Sequence, residues 1–315
     1  MYLLASKAGI LTGRQIARAL KIRFHINADK IKQGSEVLIR YGNAQQSNRI
    51  GKDTSTNSRD SILKMSAKHR LWEYLQDSEI LSPRYYRLHE IPDDLEFPCL
   101  VRSRMHRAGK DIQVCDAPYE IPRNAEYVVP YYPTIREYRV HVAFGNIVKI
   151  MRKYPINDNA HDKIRTSAFG WQYKRSSLDD VMCSKSMVET AMKTAEVLGS
   201  DFCGIDMAWS SKEHGLNKWI VWEVNSAPSL NGPSLKLYVD LFKSQFAERL
   251  REYGIHKSKQ NNARNKSLNR GNKKRRQSKR PISRPSGMRQ NYTRKNSGKK
   301  KRTSSKYSNS RKRRY

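Results

Sequence analysis

Three oxygen-bearing side chains interrupt apolar stretches in the last third of the chain. Asp206 lies within GIDMAW, and Glu223 and Asn225 lie two residues apart within VWEVNSAPSL. Because side chains alternate between the two faces of a strand, Glu223 and Asn225 point the same way. If the strand that holds Asp206 pairs with theirs, all three side chains meet on one face of a sheet. Two unpaired carboxylates would be costly to bury there.

A magnesium site would relieve that cost. Mg²⁺ prefers one or two carboxylates together with oxygens of a substrate phosphate, which is the kind of donor set that Asp206, Glu223 and Asn225 would supply. The alternative is that these are strand-end polar groups, hydrogen-bonded locally or solvated. For one isolated Asp the alternative would be favoured, whereas the set of three favours metal.

The elements that must position these side chains can be read from apolar periodicity. Strand patterns occur at 36–43 and in FPCLVRSRM, EYVVPYY, EYRVHVAFGNIVKIMRK, DFCGIDMAW and KWIVWEV. Within EYRVHVAFGNIVKIMRK, FGN is predicted to form a hairpin turn. The short connection between the last two strands predicts that they are antiparallel neighbours. Helical spacing occurs in TGRQIARALKI, in SAKHRLWEYLQ, at 188–198 before Gly199, and at 234–253. Residues 44–60 and 154–175 are polar and are predicted to be loops.

The charge of the chain is distributed unevenly. The 315 residues carry a formal net charge of +33. Residues 257–315 hold 24 of the 62 Lys and Arg residues and no Asp or Glu, which leaves 38 basic and 29 acidic residues before them. Such a tail cannot bury enough apolar surface to fold alone, so we expect 254–315 to be disordered. Electrostatic binding of DNA or RNA is its functional interpretation, and a solubilising or localising tail is the alternative.

The cysteines and the apolar runs indicate a soluble intracellular protein. Cys99, Cys115, Cys183 and Cys203 show no metal-binding spacing and most lie in apolar surroundings, as buried free thiols do. No signal peptide and no apolar run of membrane-spanning length is found, so no membrane partner is expected and a cytoplasmic location is predicted.

The ordered motifs of residues 60–250 resemble the ATP-grasp superfamily. GIDMAW…WIVWEVNSAPSL resembles its last strands, SAKHRLWEYLQDSEILSPRYY its early lysine-bearing helix, and FPCLVRSRMHRAGKDIQV its strand and phosphate-covering glycine loop. YVVPYYPTIREYRVHVAFGNIVKIMRK resembles its hinge and arginine-bearing hairpin, closest to the branch of ribosomal-protein glutamate ligases. EYRVHV is also similar to ATP-grasp proteins of tailed bacteriophages, which would imply a host cytoplasm. Neither G-x-x-x-x-G-K-[ST] nor G-x-G-x-x-G occurs, so P-loop and Rossmann sites have no support.

The resemblance implies an α+β architecture in three parts. Two α+β subdomains at 61–253 would enclose the nucleotide, preceded by a reduced helix–strand unit at 1–60 and followed by the basic tail at 254–315. Asp206, Glu223 and Asn225 would bind two Mg²⁺ ions, with Mn²⁺ as a substitute.

The same resemblance assigns residues to ATP and to the reaction. The nucleotide set is Lys68, Arg102, His106, Gly109, Val129, Tyr131 and Glu137. Arg102 stands where the family usually has a second lysine, and Glu137 is either a ribose or substrate contact or a partner for a nearby arginine. Arg139 and Arg152 would neutralise the γ-phosphate and an acyl phosphate. Exposed arginines on a half-solvated sheet are the alternative for both.

Two functions follow as hypotheses. The first is an ATP- and Mg-dependent carboxylate–amine ligase that forms an amide or peptide bond through an acyl phosphate and releases ADP and phosphate. Its carboxylate and amine would come from an amino acid or from a peptide or protein terminus. The second is a nucleic-acid-binding protein whose ATP-grasp fold has lost catalysis, for which the basic tail and Arg102 speak.

Overall fold

The computed structural model describes residues 1–103, 112–175, 185–210 and 216–277. They belong to two compact units, residues 1–257 and 258–315. The strands are β1 Tyr2–Ala5, β2 Arg23–His25, β3 Ser35–Tyr41, β4 Ile50–Thr56, β5 Tyr86–Arg87, β6 Cys99–Ser103, β7 Ile112–Cys115, β8 Ala125–Pro130, β9 Arg136–Ala143, β10 Asn146–Pro155, β11 Trp171–Arg175, β12 Phe202–Ser210 and β13 Lys218–Asn225. The α-helices are α1 Ile10–Ala19, α2 Arg59–Ser66, α3 Lys68–Gln76, α4 Lys185–Val197, α5 Gly232–Gln245 and α6 Ala247–Gln277.

The first unit contains a small parallel sheet at its N-terminus. Its strand order is β2-β1-β3-β4, with α1 connecting β1 to β2. The sequence predicted residues 44–60 to be a loop, but the segment contains the edge strand β4. A strand at a sheet edge faces water along one side, so its polar sequence IGKDTST gives no apolar alternation to read. Buried Arg40 anchors it by donating to Asp53 from Nη2 at 2.6 Å.

Two antiparallel sheets form the rest of the first unit. One has the order β5-β8-β6-β7 and the other the order β11-β10-β9-β12-β13. As predicted, β12 and β13 are antiparallel neighbours. The turn between β9 and β10 is formed by Phe144 and Gly145, whose φ angles are 49° and 71°, as a two-residue hairpin turn with left-handed residues requires.

The helix predicted in SAKHRLWEYLQ is α3, but it begins at Lys68, two residues later than expected, and the preceding helix α2 was not predicted. Ala67 has extended backbone angles, φ −127° and ψ 125°, and separates α2 from α3. The side chain of Ser58 caps α2 by accepting from the amide of Ser61. As a result, Lys68 is the first residue of α3.

A large apolar core lies between the two antiparallel sheets, α3 and α4. It includes Trp72 and Leu75 from α3 and Met187 and Ala191 from α4, all buried. A second core joins the parallel sheet and α1 to α5 and the start of α6. Cys99, Cys115 and Cys203 are buried free thiols, as expected, and Cys183 lies outside the described residues.

The C-terminal helices differ from the single helix expected at 234–253. A break at Phe246 separates α5 from α6, and α6 continues to Gln277, past residue 254, where the tail was expected to begin. The segment 254–277 contains no proline, and its many Lys, Arg and Gln residues have high helix propensity. Among the described residues, no helix is both long and apolar enough to cross a lipid bilayer.

Candidate nucleotide and metal site

The five-stranded sheet presents rows of charged side chains on one of its faces. Residues that pair directly across neighbouring strands share a face. One row runs from β11 to β13 through Arg175, Met151, Arg139, Asp206 and Glu223. The next row holds Lys149, His141, Gly204 and Asn225. We call this side of the sheet the charged face, and the side that packs against α4 the apolar face.

The structure brings Asp206, Glu223 and Asn225 together on the charged face. Asp206 pairs directly with Glu223, and Asn225 lies two residues further along β13. Trp222 is an extra residue in β13 that bulges the strand next to this pair, and bulges commonly re-aim side chains beside functional sites.

Each of the two carboxylates is held by a basic residue that the sequence assigned to phosphate. Nζ of Lys68 lies 2.5 Å from Oε2 of Glu223. Arg139 forms a fork on Asp206, with Nε 2.5 Å from Oδ1 and Nη2 2.6 Å from Oδ2. The Lys68 ammonium lowers the pKa of Glu223, and burial raises it by less. The pKa of Glu223 therefore lies well below its usual value. Glu223 is therefore ionised throughout the neutral range.

Arg102 completes the positive side of this cluster. It lies on β6, is 7% exposed, and its Nε has no hydrogen-bond partner among the described residues. Its charge acts on both Lys68 and Glu223. A buried guanidinium with an unused N–H can bind a phosphate oxygen without first losing a protein contact.

Arg152 is not brought to the charged face. It pairs with Tyr138, which lies on the apolar face, and its guanidinium carbon is 4.6 Å from the centre of the Tyr154 ring. The cause is an extra residue in β10, Val148, because pairing shifts between Ile147 and Lys149. A one-residue bulge reverses which face each following side chain points to.

The charged face instead carries residues that the sequence analysis did not assign. Lys153 binds Oε2 of Glu137 at 2.6 Å, and Arg165 lies 3.8 Å from Oε1 of the same carboxylate. Tyr173 stacks under Arg139, with 4.4 Å between ring centre and guanidinium carbon. The signal of Lys153 was weak because KIMRKY places basic residues on both faces of β10, so that only the register decides which ones meet the site.

The hinge residues lie at the end of β8. Val129 is buried and pairs with Leu100 of β6, and the amide of Tyr131 donates to the carbonyl of Pro98 at 3.1 Å. That Tyr131 N–H is therefore already used within the protein. His106 and Gly109, expected in the phosphate-covering loop, lie outside the described residues.

A cavity of about 1050 Å³ lies beside the same hinge. It is lined by Tyr131, Tyr132, Trp209 and Trp219 among others, but by none of the three expected metal ligands. The charged residues expected to handle phosphate therefore lie outside this cavity.

The donor set fits a hard divalent cation. Two carboxylates and one amide converge on one face, and the amide would offer its Oδ1 to a cation. Oxygen donors of this kind suit Mg²⁺. No group of three or more His, Cys, Asp or Glu side chains placed to hold a metal occurs within the described ranges. A cation here would thus need phosphate oxygens or water as further ligands.

Solved structures similar to this one include ligases. The structure is similar to D-alanine–D-alanine ligase from Bacillus anthracis complexed with ATP, with a TM-score of 0.55, 14% identity, and 80% of this chain and 97% of that chain covered. It is also similar to the ATP-grasp ligase PsnB complexed with a phosphomimetic variant of a minimal precursor, Mg and ADP, with a TM-score of 0.54, 10% identity, and coverage of 78% and 98%.

A third similar structure is the macrocyclase MdnC bound with precursor peptide MdnA, from Microcystis aeruginosa MRC. Its TM-score is 0.52, with 8% identity and coverage of 76% of this chain and 98% of that one. No protein-family model matches the sequence, and no curated protein matches it. Because similarity at such identities establishes architecture rather than activity, what these structures show is that the chain adopts the ATP-grasp fold.

Proposed function

We propose that this protein is an ATP- and Mg-dependent carboxylate–amine ligase. The observation that carries the proposal is the charged face, where Asp206 and Glu223 are paired across neighbouring strands and contacted by Arg139 and Lys68 at 2.5 Å. Paired carboxylates for a cation, surrounded by cations for phosphate, are what phosphoryl transfer asks of a protein. The ATP-bound and ADP-bound ligases of the same fold support the assignment.

The proposed reaction has two steps. A carboxylate oxygen of the first substrate attacks the γ-phosphorus of ATP, the bond between that phosphorus and the bridging oxygen breaks, and ADP leaves. The nitrogen of a neutral amine then attacks the acyl carbon, the bond from that carbon to the phosphate oxygen breaks, inorganic phosphate leaves, and the nitrogen loses a proton. An amide or peptide bond is the product.

The residues of this chain would hold charge during those steps. Lys68 and Arg139 would change partner, from the two carboxylates to phosphate oxygens. Arg102 would bind phosphate through its unused Nε. Bound Mg²⁺ would neutralise phosphate charge, with Asp206, Glu223 and Asn225 as its protein ligands; two ions, or Mn²⁺ in their place, belong to the same proposal. The role of Arg152 is not part of it, because the side chain lies on the other face.

The substrates are proposed by class. Two similar ligases are solved with precursor peptides, which supports an amino acid or a peptide or protein terminus as substrate. A position near the ribosomal-protein glutamate ligases or the phage proteins stays a prediction from sequence.

Nucleotide binding with and without Mg²⁺ tests the proposal. We expect Mg-ATP to bind the wild type, and Glu223→Gln to weaken that binding at least about 100-fold, or roughly 2.7 kcal/mol. The matched control is Glu189→Gln, because Glu189 is an exposed residue of α4 whose partner is Lys185 at 3.6 Å. Absence of Mg-ATP binding in the wild type, or equal affinities of the two variants, would contradict the proposal.

A polyanion-binding function of the tail is a second candidate. It is favoured by the 24 basic and no acidic residues of 257–315. Binding to DNA or RNA should weaken steeply with salt, because each neutralised phosphate releases counterions. Removing residues 278–315 should lower both the affinity and the salt slope, and unchanged values would reject this role. ADP release across a panel of amino acids and peptides separates a ligase from a fold that only binds nucleic acid.

A further inference from the structure

Two basic residues of the charged face have no role in the proposed nucleotide site. Lys149 lies on β10, opposite His141, and Arg175 lies on β11, opposite Met151. They are diagonal neighbours on the same face, a separation that long side chains bridge. Neither has an ion-pair partner within the described ranges, whereas Lys153, on the same face of β10, is paired with Glu137.

The start of α5 borders this pair. Nζ of Lys149 donates to Oγ of Ser234 at 2.7 Å, and Ser234 lies in the first turn of α5. That turn contains no acidic residue, and Asn231 forms no side-chain cap. The positive end of a fourteen-residue helix therefore adds to the charge of Lys149 instead of offsetting it.

The surroundings of Lys149 are unfavourable to a lone ammonium. Burial lowers the pKa of Lys149, and the nearby charges of Arg175 and Arg139 lower it further. Nε2 of His141, opposite Lys149, is buried and has no hydrogen-bond partner among the described residues. Positive charge beside the N-terminus of a helix is a favourable place for an anion to bind.

We propose that Lys149, Arg175 and Ser234 form a subsite for a second carboxylate on the substrate. The inference rests on the proposed function, since Arg139, one strand from Lys149 and two from Arg175, would bind the phosphate that is transferred to the first carboxylate. Neighbouring strands lie about 4.8 Å apart, so the two binding positions suit a short dicarboxylic acid or an acidic residue at a peptide terminus. A substrate with an amide in place of the second carboxylate would leave the cations uncompensated.

Chemical labelling of Lys149 tests the subsite directly. The full-length protein is acetylated at lysine in the presence of glutarate or of glutaramate, which replaces one carboxylate by an amide, at equal ionic strength. Modification at Lys149 is then quantified by peptide mass spectrometry, with and without Mg-ADP. We expect glutarate to protect Lys149 at a concentration roughly tenfold lower than glutaramate, a difference of about 1.4 kcal/mol.

Two variants test whether the preference for glutarate depends on Arg175. Arg175→Gln should remove most of the preference for glutarate. Lys174→Gln is the matched control, because this substitution removes the same charge from the opposite face. Lys174 is the preceding residue of β11 and pairs with Arg152. Equal protection by the two compounds, or equal behaviour of the two variants, would overturn the subsite.

The subsite and the ligase function can fail separately. Binding of a fluorescent ADP analogue is measured in the same samples. Loss of the preference for glutarate while Mg-ADP still binds rejects the subsite alone. Failure of Mg-ADP to bind rejects the proposed function. In that case, preferential protection of Lys149 by glutarate in samples without nucleotide supports the anion subsite, and equal protection by the two compounds rejects it.

Discussion

The two faces of the five-stranded sheet are made by the same strands and have opposite chemistry. The charged face carries Arg139, Asp206 and Glu223, while the apolar face carries Val140, Ile205 and Val224 in the core with α4. These residues alternate along β9, β12 and β13. The apolar face supplies the packing that holds the strands rigid, and this rigidity lets the charged face hold repelling and attracting groups at fixed distances.

Substitutions of Arg139 and Arg152, one on each face of the sheet, test the difference between the two faces most directly. Arg139→Gln should lower ADP release by about 100- to 1000-fold, because a positioned donor at developing phosphate charge is lost. Arg152→Gln, on the opposite face, should change ADP release by less than about twofold, or roughly 0.4 kcal/mol. Rates are normalised to the folded fraction, measured by tryptophan fluorescence. Similar losses in both variants would show that the register places neither arginine as described.

Ile205 and Asp206, adjacent on β12, separate stability from binding. Ile205 is fully buried, so Ile205→Ala should lower the free energy of unfolding by about 2–5 kcal/mol through loss of contacts and a cavity. The nucleotide affinity of its folded fraction should stay that of the wild type. Asp206→Asn should weaken nucleotide binding of the folded fraction at saturating Mg²⁺, which Ile205→Ala leaves unchanged. Urea unfolding and nucleotide titration measure the two quantities, and weakened nucleotide binding in Ile205→Ala would remove the division between the faces.

His141 tests the cost of burying a titratable group on the charged face. Burial, with Arg139 and Lys149, lowers the pKa of His141 from 6.5 to about 3. Between those values the unfolded chain binds a proton that the folded chain does not, so stability falls as pH falls. The wild type should lose about 2 kcal/mol more than His141→Gln between about pH 7 and pH 5. Parallel pH profiles of unfolding free energy would mean that His141 is protonated in the folded protein.

Asp240 shows how little an exposed charge matters by comparison. It pairs with Lys236 at 3.0 Å on the surface of α5. Asp240→Asn should change the free energy of unfolding by less than about 0.5 kcal/mol and leave nucleotide binding unaltered. Thermal unfolding at low and high salt is the measurement. A larger effect would show that surface charge, and not position on the sheet, governs the electrostatics of the protein.

The part of the site that depends on alternation within one strand could be predicted from sequence. Glu223 and Asn225 share a face because two residues separate them, and a short connection makes β12 and β13 neighbours. Arg139 was likewise recognisable as a charge inside an apolar strand. The fold followed from the order of the motifs, and similarity to solved ATP-grasp ligases confirmed it.

The part that depends on register between strands could not be predicted. Without Val148 as an extra residue, Arg152 would face Glu137, and one bulge puts Lys149 and Lys153 there instead. The break at Ala67 was hidden for a similar reason, since alanine favours helix and only the surrounding structure makes it extended. The polar edge strand β4 lacked an apolar pattern altogether.

The contacts of Lys68 and Arg139 have a consequence for the order in which ligands arrive. Lys68 pairs with Glu223, and Arg139 pairs with Asp206. A bare metal ion would have to displace a lysine and an arginine, and bare ATP would find both of those cations engaged. At the proposed site, each ligand would free the residues that the other needs, and by thermodynamic linkage each would raise the affinity of the other by the same factor. The proposed site would then bind Mg²⁺ and ATP together more tightly than either one alone.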